Sequence, residues 1–267
     1  MEKFMLTIRT LSPLFILITA LALPGFSAAQ EAQADPLLVV SHCMKSKSPG
    51  YVDLETDMWL PMQQNMVDQG QKVSWSLYRV MYGDRSKCDY YVVETYLGGD
   101  QFNANPELEK VFNEVHASKN FEKAMAKTDL SRNMAESHLY VTVDAVNLKP
   151  FTYATVNWMQ ASDPEKYVSM EKEVWKPVHQ ALTDAGHRAG WGLYGRISPG
   201  GSSVGYNYAT VDFFNKFEEI PMEKIFKSVH PKIDMEKNTE QMLAMRDHVY
   251  SQTWMRVAGT TRAAKKD

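Results

Sequence analysis

Short runs of β-branched and aromatic residues alternate along this chain with longer runs in which apolar residues return every three or four positions, and the whole order occurs twice. Residues 39–44 and 153–159 read as strands. Residues 51–69 and 167–185 read as helices. Leu54, Met58, Met62 and Met66 form one apolar stripe, Met170, Val174, Val178 and Leu182 form its counterpart, and Gly70 and Gly186 stand where C-terminal caps belong. Residues 75–81 with 90–96, and 191–197 with 206–213, read as hairpins, the second around Pro199-Gly200-Gly201. A second helix is predicted over 107–125 and 222–233, and a closing strand over 138–143 and 248–253.

Aligning the chain with itself explains the recurrence. Tyr51, Glu55, Trp59, Pro61, Gly70, Trp75, Leu77, Tyr78 and Tyr90 return as Tyr167, Glu171, Trp175, Pro177, Gly186, Trp191, Leu193, Tyr194 and Tyr206, always 116 residues later. The run from Glu109 to His116 matches Glu223 to His230 at an offset of 114, and His138 and Tyr140 align with His248 and Tyr250 at 110. Each copy therefore reads βαββαβ, the ferredoxin-like order. The expected organisation is a leader over 1–34, a first α+β unit over 35–148 and a second over 149–267.

Two such units in one chain resemble the dimeric α/β-barrel superfamily, in a tandem form where the fused copies replace a dimer. The resemblance rests on element order and duplication, and it implies a closed pseudo-dimeric barrel with helices outside. The superfamily includes cofactor-independent monooxygenases, haem-binding and haem-degrading proteins, isomerase-like enzymes and proteins without a known reaction, so the fold alone does not select a function.

The N-terminus narrows the compartment. Lys3 and Arg9 precede an apolar stretch at 14–23, then Pro24-Gly25 and small residues, the three-part pattern of a secretory signal cleaved after Ala29 or Ala34. A periplasmic or secreted protein is expected, with no membrane association after cleavage. A formal net charge of -3 offers no basic field for phosphate backbones, which argues against nucleic acid as a partner. Cys43 and Cys88, the chain's two cysteines, fall at the end of the first strand and the start of the third, antiparallel neighbours in the proposed topology, so a disulfide is expected in an oxidising compartment. No phosphate loop, dinucleotide glycine pattern, nucleophile elbow or paired-histidine metal motif is present.

Candidate chemistry comes from the repeated polar residues. Tyr51, Glu55 and Trp59, like Tyr167, Glu171 and Trp175, follow at four-residue steps along the edge of the apolar stripe, which sets a carboxyl beside a buried face. A desolvated carboxyl has a raised pKa and suits proton transfer; a boundary salt bridge is the bland alternative. Pro61 and Pro177 predict a bend or a restart just after Trp59 and Trp175. His116 and His230 follow inward-facing apolar pairs, so a Glu55/His116 and a Glu171/His230 pair are expected in one cleft per unit, with Tyr51, Trp59, Tyr167 and Trp175 lining it. His138 and His248 are placed to join either cleft.

The leading expectation is an exported α/β barrel that binds a small hydrophobic or aromatic molecule, as monomer or homodimer. A cofactor-independent oxidation or isomerisation would use glutamate as base and histidine as its partner. The alternatives are haem binding or carriage with His116 or His230 as axial ligand, and a non-catalytic envelope or interaction protein in which every repeated residue is core.

Overall fold

A computed structural model describes residues 36–104 and 106–261. The expected signal segment and both of its cleavage sites lie outside the described residues. The first half runs β1 (Leu37–Ser46), α1 (Tyr51–Leu54), a π turn (Glu55–Trp59), α2 (Leu60–Asp68), β2 (Ser74–Tyr82), β3 (Tyr90–Leu97), a short α3 (Gly98–Asn103), α4 (Leu108–Val115), α5 (Phe121–Ser131) and β4 (Arg132–Val146). The second half runs β5 (Tyr153–Ala161), α6 (Pro164–Met170), a π turn (Glu171–Trp175), α7 (Lys176–Asp184), β6 (Gly190–Ser198), β7 (Tyr208–Phe214), α8 (Met222–Val229), α9 (Met235–Met245) and β8 (Arg246–Gly259).

The strands close into one antiparallel barrel in the order β1-β3-β2-β8-β5-β7-β6-β4. Within each half the order is ferredoxin-like, β4-β1-β3-β2 and β8-β5-β7-β6. The halves join where β2 pairs with β8 and β4 pairs with β6. Closure leaves no free sheet edge, so each half satisfies the other's outer strand. Among the described residues no helix is long and apolar enough to cross a membrane.

Alternation along the strands separates two faces. Trp75, Leu77 and Val92 face outward and pack with Tyr51 under the first helix, as Trp191 and Leu193 pack with Tyr167 in the second half. Tyr78, Val80, Tyr140, Val156, Trp158, Tyr206, Ala209 and Trp254 face the barrel interior. Gly70 and Gly186 sit at φ +72° and +82°, the left-handed conformation their capping role requires. The amide of Gln71 returns to the Met66 carbonyl at 2.8 Å and that of His187 to the Leu182 carbonyl at 2.9 Å, closing both helix ends alike.

Three sequence expectations need correction. The second helix is two helices in each half, because Asn120 and Asp234 accept from the amides of Lys123 and Lys237 and start a new helix after a turn. The closing strands begin six residues earlier in β4 and two earlier in β8, and run on to Val146 and Gly259. The first residues of β4 are mostly exposed and polar, so hydrophobic periodicity could not mark them. Finally, strand register moves the repeat: Met44 faces Tyr90 while Met159 faces Tyr208, so Tyr90 corresponds to Tyr208 and not to Tyr206. By the same registers Cys43 corresponds to Trp158, His138 to Gln252 and Tyr140 to Trp254, and His248 corresponds to Met134 rather than to His138.

Cys43 and Cys88 form the expected disulfide, with Cα atoms 5.4 Å apart. Counted from Tyr90 and Tyr208, Cys88 corresponds to Tyr206. Where the first half has a cystine, the second has Trp158 beside Tyr206, ring centroids 6.2 Å apart.

Candidate functional site

The repeated residues gather between the helices and the outer face of the barrel. Glu55 and Glu171 are 3% and 4% exposed, each four residues after an equally buried tyrosine, Tyr51 or Tyr167, on the first helix of its half. Burial pushes both carboxyls up to about 7, although Arg132, 3.4 Å from Glu55, pulls in the other direction. The Tyr51 hydroxyl lies beside Glu55 without forming a well-directed hydrogen bond, and Tyr167 does the same beside Glu171. Arg132 and Arg246 open β4 and β8 and reach the sulfurs of Met44 and Met159. Arg132 ties the first helix to the start of β4 through Glu55, whereas in the second half Arg246 lies over the Tyr167 ring, 5.9 Å from its centroid.

Proline sets the shape of these helices. Pro61 and Pro177 have no amide hydrogen, and each lies in the first turn of a restarted helix, where none is needed. The preceding turn widens, so the Leu60 amide returns five residues to the Glu55 carbonyl and the Lys176 amide to the Glu171 carbonyl. The expected bend is thus a π turn in both halves. Its loosened carbonyls find a partner outside the helix: His116 Nε2 donates to the Met58 carbonyl at 2.8 Å and His230 Nε2 to the Val174 carbonyl at 2.9 Å.

This geometry brings Tyr51 to Glu55 and Tyr167 to Glu171, but it does not pair either carboxyl with a histidine. α4 and α8 stop at Val115 and Val229, so His116 and His230 are the capping residues and their rings reach across to helix backbone. Trp59 donates its indole N–H to Thr128 at 2.9 Å and packs on Phe112. Trp175 packs on Phe226, its indole nitrogen buried with no hydrogen-bond partner among the described residues, because Met242 stands where the first half has Thr128. Replacing His116 by Ala should lower stability by about 1–2 kcal/mol by leaving the Met58 carbonyl unpaired. His116→Gln, which restores a donor, should recover part of that loss; equal melting temperatures for His116→Ala and wild type would remove this role.

A different set of residues surrounds a cavity of about 270 Å³ inside the barrel. Its apolar wall includes Tyr78, Tyr91, Trp158, Tyr194, Phe213 and Trp254. Tyr91 stacks on Trp254 with centroids 4.1 Å apart, and Trp158 stacks on Tyr250 at 5.5 Å. One polar chain runs along the wall: Tyr140 and Tyr206 hydroxyls are 2.9 Å apart, and the Tyr206 hydroxyl is 2.7 Å from His138 Nδ1. Burial holds the His138 ring below the ordinary imidazole range and raises both phenols, so all three are neutral at pH 7.

The open end of the cavity carries Asp84, Lys87, Glu136 and Val249. Lys87 pairs with Glu136, and residues 83–89 are held across the mouth by Gln252, which donates to the Asp84 carbonyl at 2.6 Å, and by the Cys43–Cys88 bond. Of these residues the sequence singles out only His138 as a candidate for chemistry, and places it to join a cleft in the helix layer. Apart from Tyr78 with Tyr194 and Val93 with Val211, the interior residues carry little repeat signal, since the two copies differ at most of these positions.

No known protein family matches the chain, and no curated protein matches it. Among solved structures, a candidate monooxygenase from Fusobacterium nucleatum subsp. nucleatum superposes with TM-score 0.50 at 14% identity, covering 86% of this chain and 95% of that one. A candidate monooxygenase from Lactobacillus acidophilus gives 0.48 at 9% identity over 85% and 97% of the two chains. The first of these carries the fold and nothing beyond it: the chain is a single-chain, tandem form of the dimeric α/β barrel.

Proposed function

We propose that this protein is exported to the periplasm or the medium and there binds a flat, largely apolar small molecule inside its barrel. One observation carries the reading. The helix-facing residues recur in both copies, Tyr51 with Tyr167, Glu55 with Glu171, Trp75 with Trp191, Phe112 with Phe226 and His116 with His230. Around the cavity Tyr78 with Tyr194 and Val93 with Val211 recur, but the residues that give the walls their chemistry do not: Cys43 stands against Trp158, Cys88 against Tyr206, Glu136 against Tyr250, His138 against Gln252 and Tyr140 against Trp254. Packing between a helix and a sheet is the same problem in both copies and has the same solution. A single asymmetric ligand on the pseudo-twofold axis needs two different walls.

The cavity volume, just under the usual ligand range of roughly 300–1,000 Å³, suits one or two fused rings. It is small for haem, and His116 and His230 each commit Nε2 to a backbone carbonyl, so these residues do not fit the haem reading. Glu55 and Glu171 do not line the cavity and are assigned to anchoring the helices. An oxidation or isomerisation driven by a Glu–His pair therefore finds no support, and the proposal is binding without an assigned turnover.

Native and denaturing mass spectrometry of the mature protein, purified from its exporting host, tests the reading. Extra mass that is lost on denaturation is expected in the wild type, and it should be absent from Ala209→Trp, which fills the cavity from a buried wall position. Apoprotein alone, or equal extra mass in both proteins, would refute an interior ligand and return the barrel lining to simple core.

A further inference from the structure

Depth inside the barrel sorts the cavity residues by polarity. β1 and β4 form one wall and descend from the mouth in paired steps, Cys43 with Glu136, Ser41 with His138 and Val39 with Tyr140. β5 and β8 form the wall opposite, where Trp158 pairs with Tyr250, Val156 with Gln252 and Ala154 with Trp254. One step farther along β4 and β8, Tyr194 beside Thr142 and Tyr78 beside Arg256 close the floor. The Tyr194 hydroxyl lies over Gly192, where a Cβ would fall 2.6 Å from it, so the phenol points away from the mouth and offers the cavity its ring.

Most hydrogen-bonding groups around this space are already engaged. The Gln252 amide donates to the Asp84 carbonyl at 2.6 Å, and its side-chain oxygen accepts from the Trp254 indole at 3.0 Å. The Tyr140 and Tyr206 hydroxyls bond each other, and Tyr206 also bonds His138 Nδ1. Two groups on the second step of one wall are left. Neither the Ser41 hydroxyl nor His138 Nε2 has a hydrogen-bond partner among the described residues. They belong to directly opposed residues of β1 and β4, and Cβ atoms in such a pair lie about 5 Å apart, so one ligand atom can reach both. Across the barrel, Val156 and the engaged Gln252 offer nothing equivalent. Lys87 is the only cation among the described residues that line the cavity, and Glu136 holds it, so a charged head group would lose its water without gaining a counter-ion.

We propose that Ser41 and His138 form a subsite for one uncharged hydroxyl, carried by a fused-ring ligand whose apolar body enters first and rests on Tyr78 and Tyr194. This rests on the interior-ligand reading and names the ligand's class, an aromatic alcohol or phenol. A hydroxyl both donates and accepts, and so does the rotating hydroxyl of Ser41. All three partners are therefore satisfied whichever nitrogen of His138 carries the hydrogen.

Calorimetric titration of the mature protein at pH 7 tests the subsite with 2-naphthol, with 2-methylnaphthalene, which has the same shape without the hydroxyl, and with 2-naphthoate, which is ionised. The naphthol should bind about tenfold tighter than the hydrocarbon, and the naphthoate no tighter than the hydrocarbon. The ratio of naphthol to hydrocarbon affinity should fall in Ser41→Ala and approach one in Ser41→Ala/His138→Phe, with hydrocarbon binding reporting whether the cavity is intact. Crystals soaked with 6-bromo-2-naphthol should place the anomalous signal of bromine beside Tyr78 and Tyr194. Bromine beside His138 overturns the orientation. Equal binding of naphthol and hydrocarbon by wild type, an unchanged ratio in the double variant, or tighter binding of naphthoate than of naphthol overturns the hydroxyl subsite and leaves the apolar cavity standing. Binding of none of the three compounds sinks the interior-ligand reading and this inference with it.

Discussion

Glu171→Gln is expected to stabilise the protein at pH 8 and leave it nearly unchanged at pH 4.5. The wild-type carboxyl is raised from 4.5 to about 7 chiefly by burial. Below about pH 4.5 folded and unfolded chains both hold this proton, and the group adds no pH dependence. Between about 4.5 and 7 the folded chain keeps a proton that the unfolded chain has released, so stability falls as pH rises. Above about 7 the loss is complete, roughly 3 kcal/mol for a shift of this size. Glutamine has the shape of the neutral acid and never ionises. Urea denaturation of wild type and Glu171→Gln across pH 4.5–8 should therefore give curves that meet at the acid end and separate by up to roughly 3 kcal/mol at the other. Parallel curves would mean that the carboxyl titrates alike in both states and is solvated in a way its 4% exposure denies.

Glu55→Gln should gain less, and the difference between the copies is informative. Glu55 has an ion-pair partner at 3.4 Å in Arg132, itself largely covered, whereas Arg246 stands beyond ion-pair distance of Glu171. Removing the Glu55 charge relieves one desolvated carboxylate but leaves a guanidinium less well compensated. Near-neutrality of Glu55→Gln at pH 8 beside a clear gain in Glu171→Gln would fit this account.

How far the sequence reveals the molecule follows from what repetition records. Duplication, strand order and the inward or outward direction of Trp75, Leu77 and Tyr78 were all legible, because a helix packed on a sheet imposes periodicities of 3.6 and 2. So was the approach of Cys43 to Cys88. The π turn was legible only as a proline in a helix, since the widened turn and its histidine donor depend on contacts between residues 58 apart. The cavity was hidden for a more general reason. A search for recurring residues selects positions with the same task in both copies, and Trp158, Tyr206, His138 and Gln252 have different tasks. Misregistration deepened the effect: His138 and His248 look paired in sequence, yet His138 faces the barrel interior while His248 bonds Ser251 near the surface.

Cys43→Ala/Cys88→Ala should lower stability by about 4 kcal/mol, the chain-entropy value for a cross-link that closes 45 residues. For a folded unit of this size that corresponds to a fall of roughly 8–16 °C in melting temperature. The closed loop contains the first helix, both of its clamping residues Tyr51 and Glu55, and β2, so the unfolded chain gains freedom over much of the first half. The second half has no equivalent bond, and its Trp158–Tyr206 contact acts only in the folded state. Loss of the cystine should therefore lower the melting point without altering the packing of the second half. It should also free residues 83–89 at the cavity mouth, where Gln252 and Lys87 remain as the other anchors, so dissociation of a bound aromatic should quicken as stability falls. Differential scanning calorimetry of oxidised, reduced and double-alanine protein separates the terms: reduced and double-alanine proteins should melt together, below the oxidised form. Coincidence of all three would show that the bond constrains nothing in the unfolded chain that other contacts do not already hold.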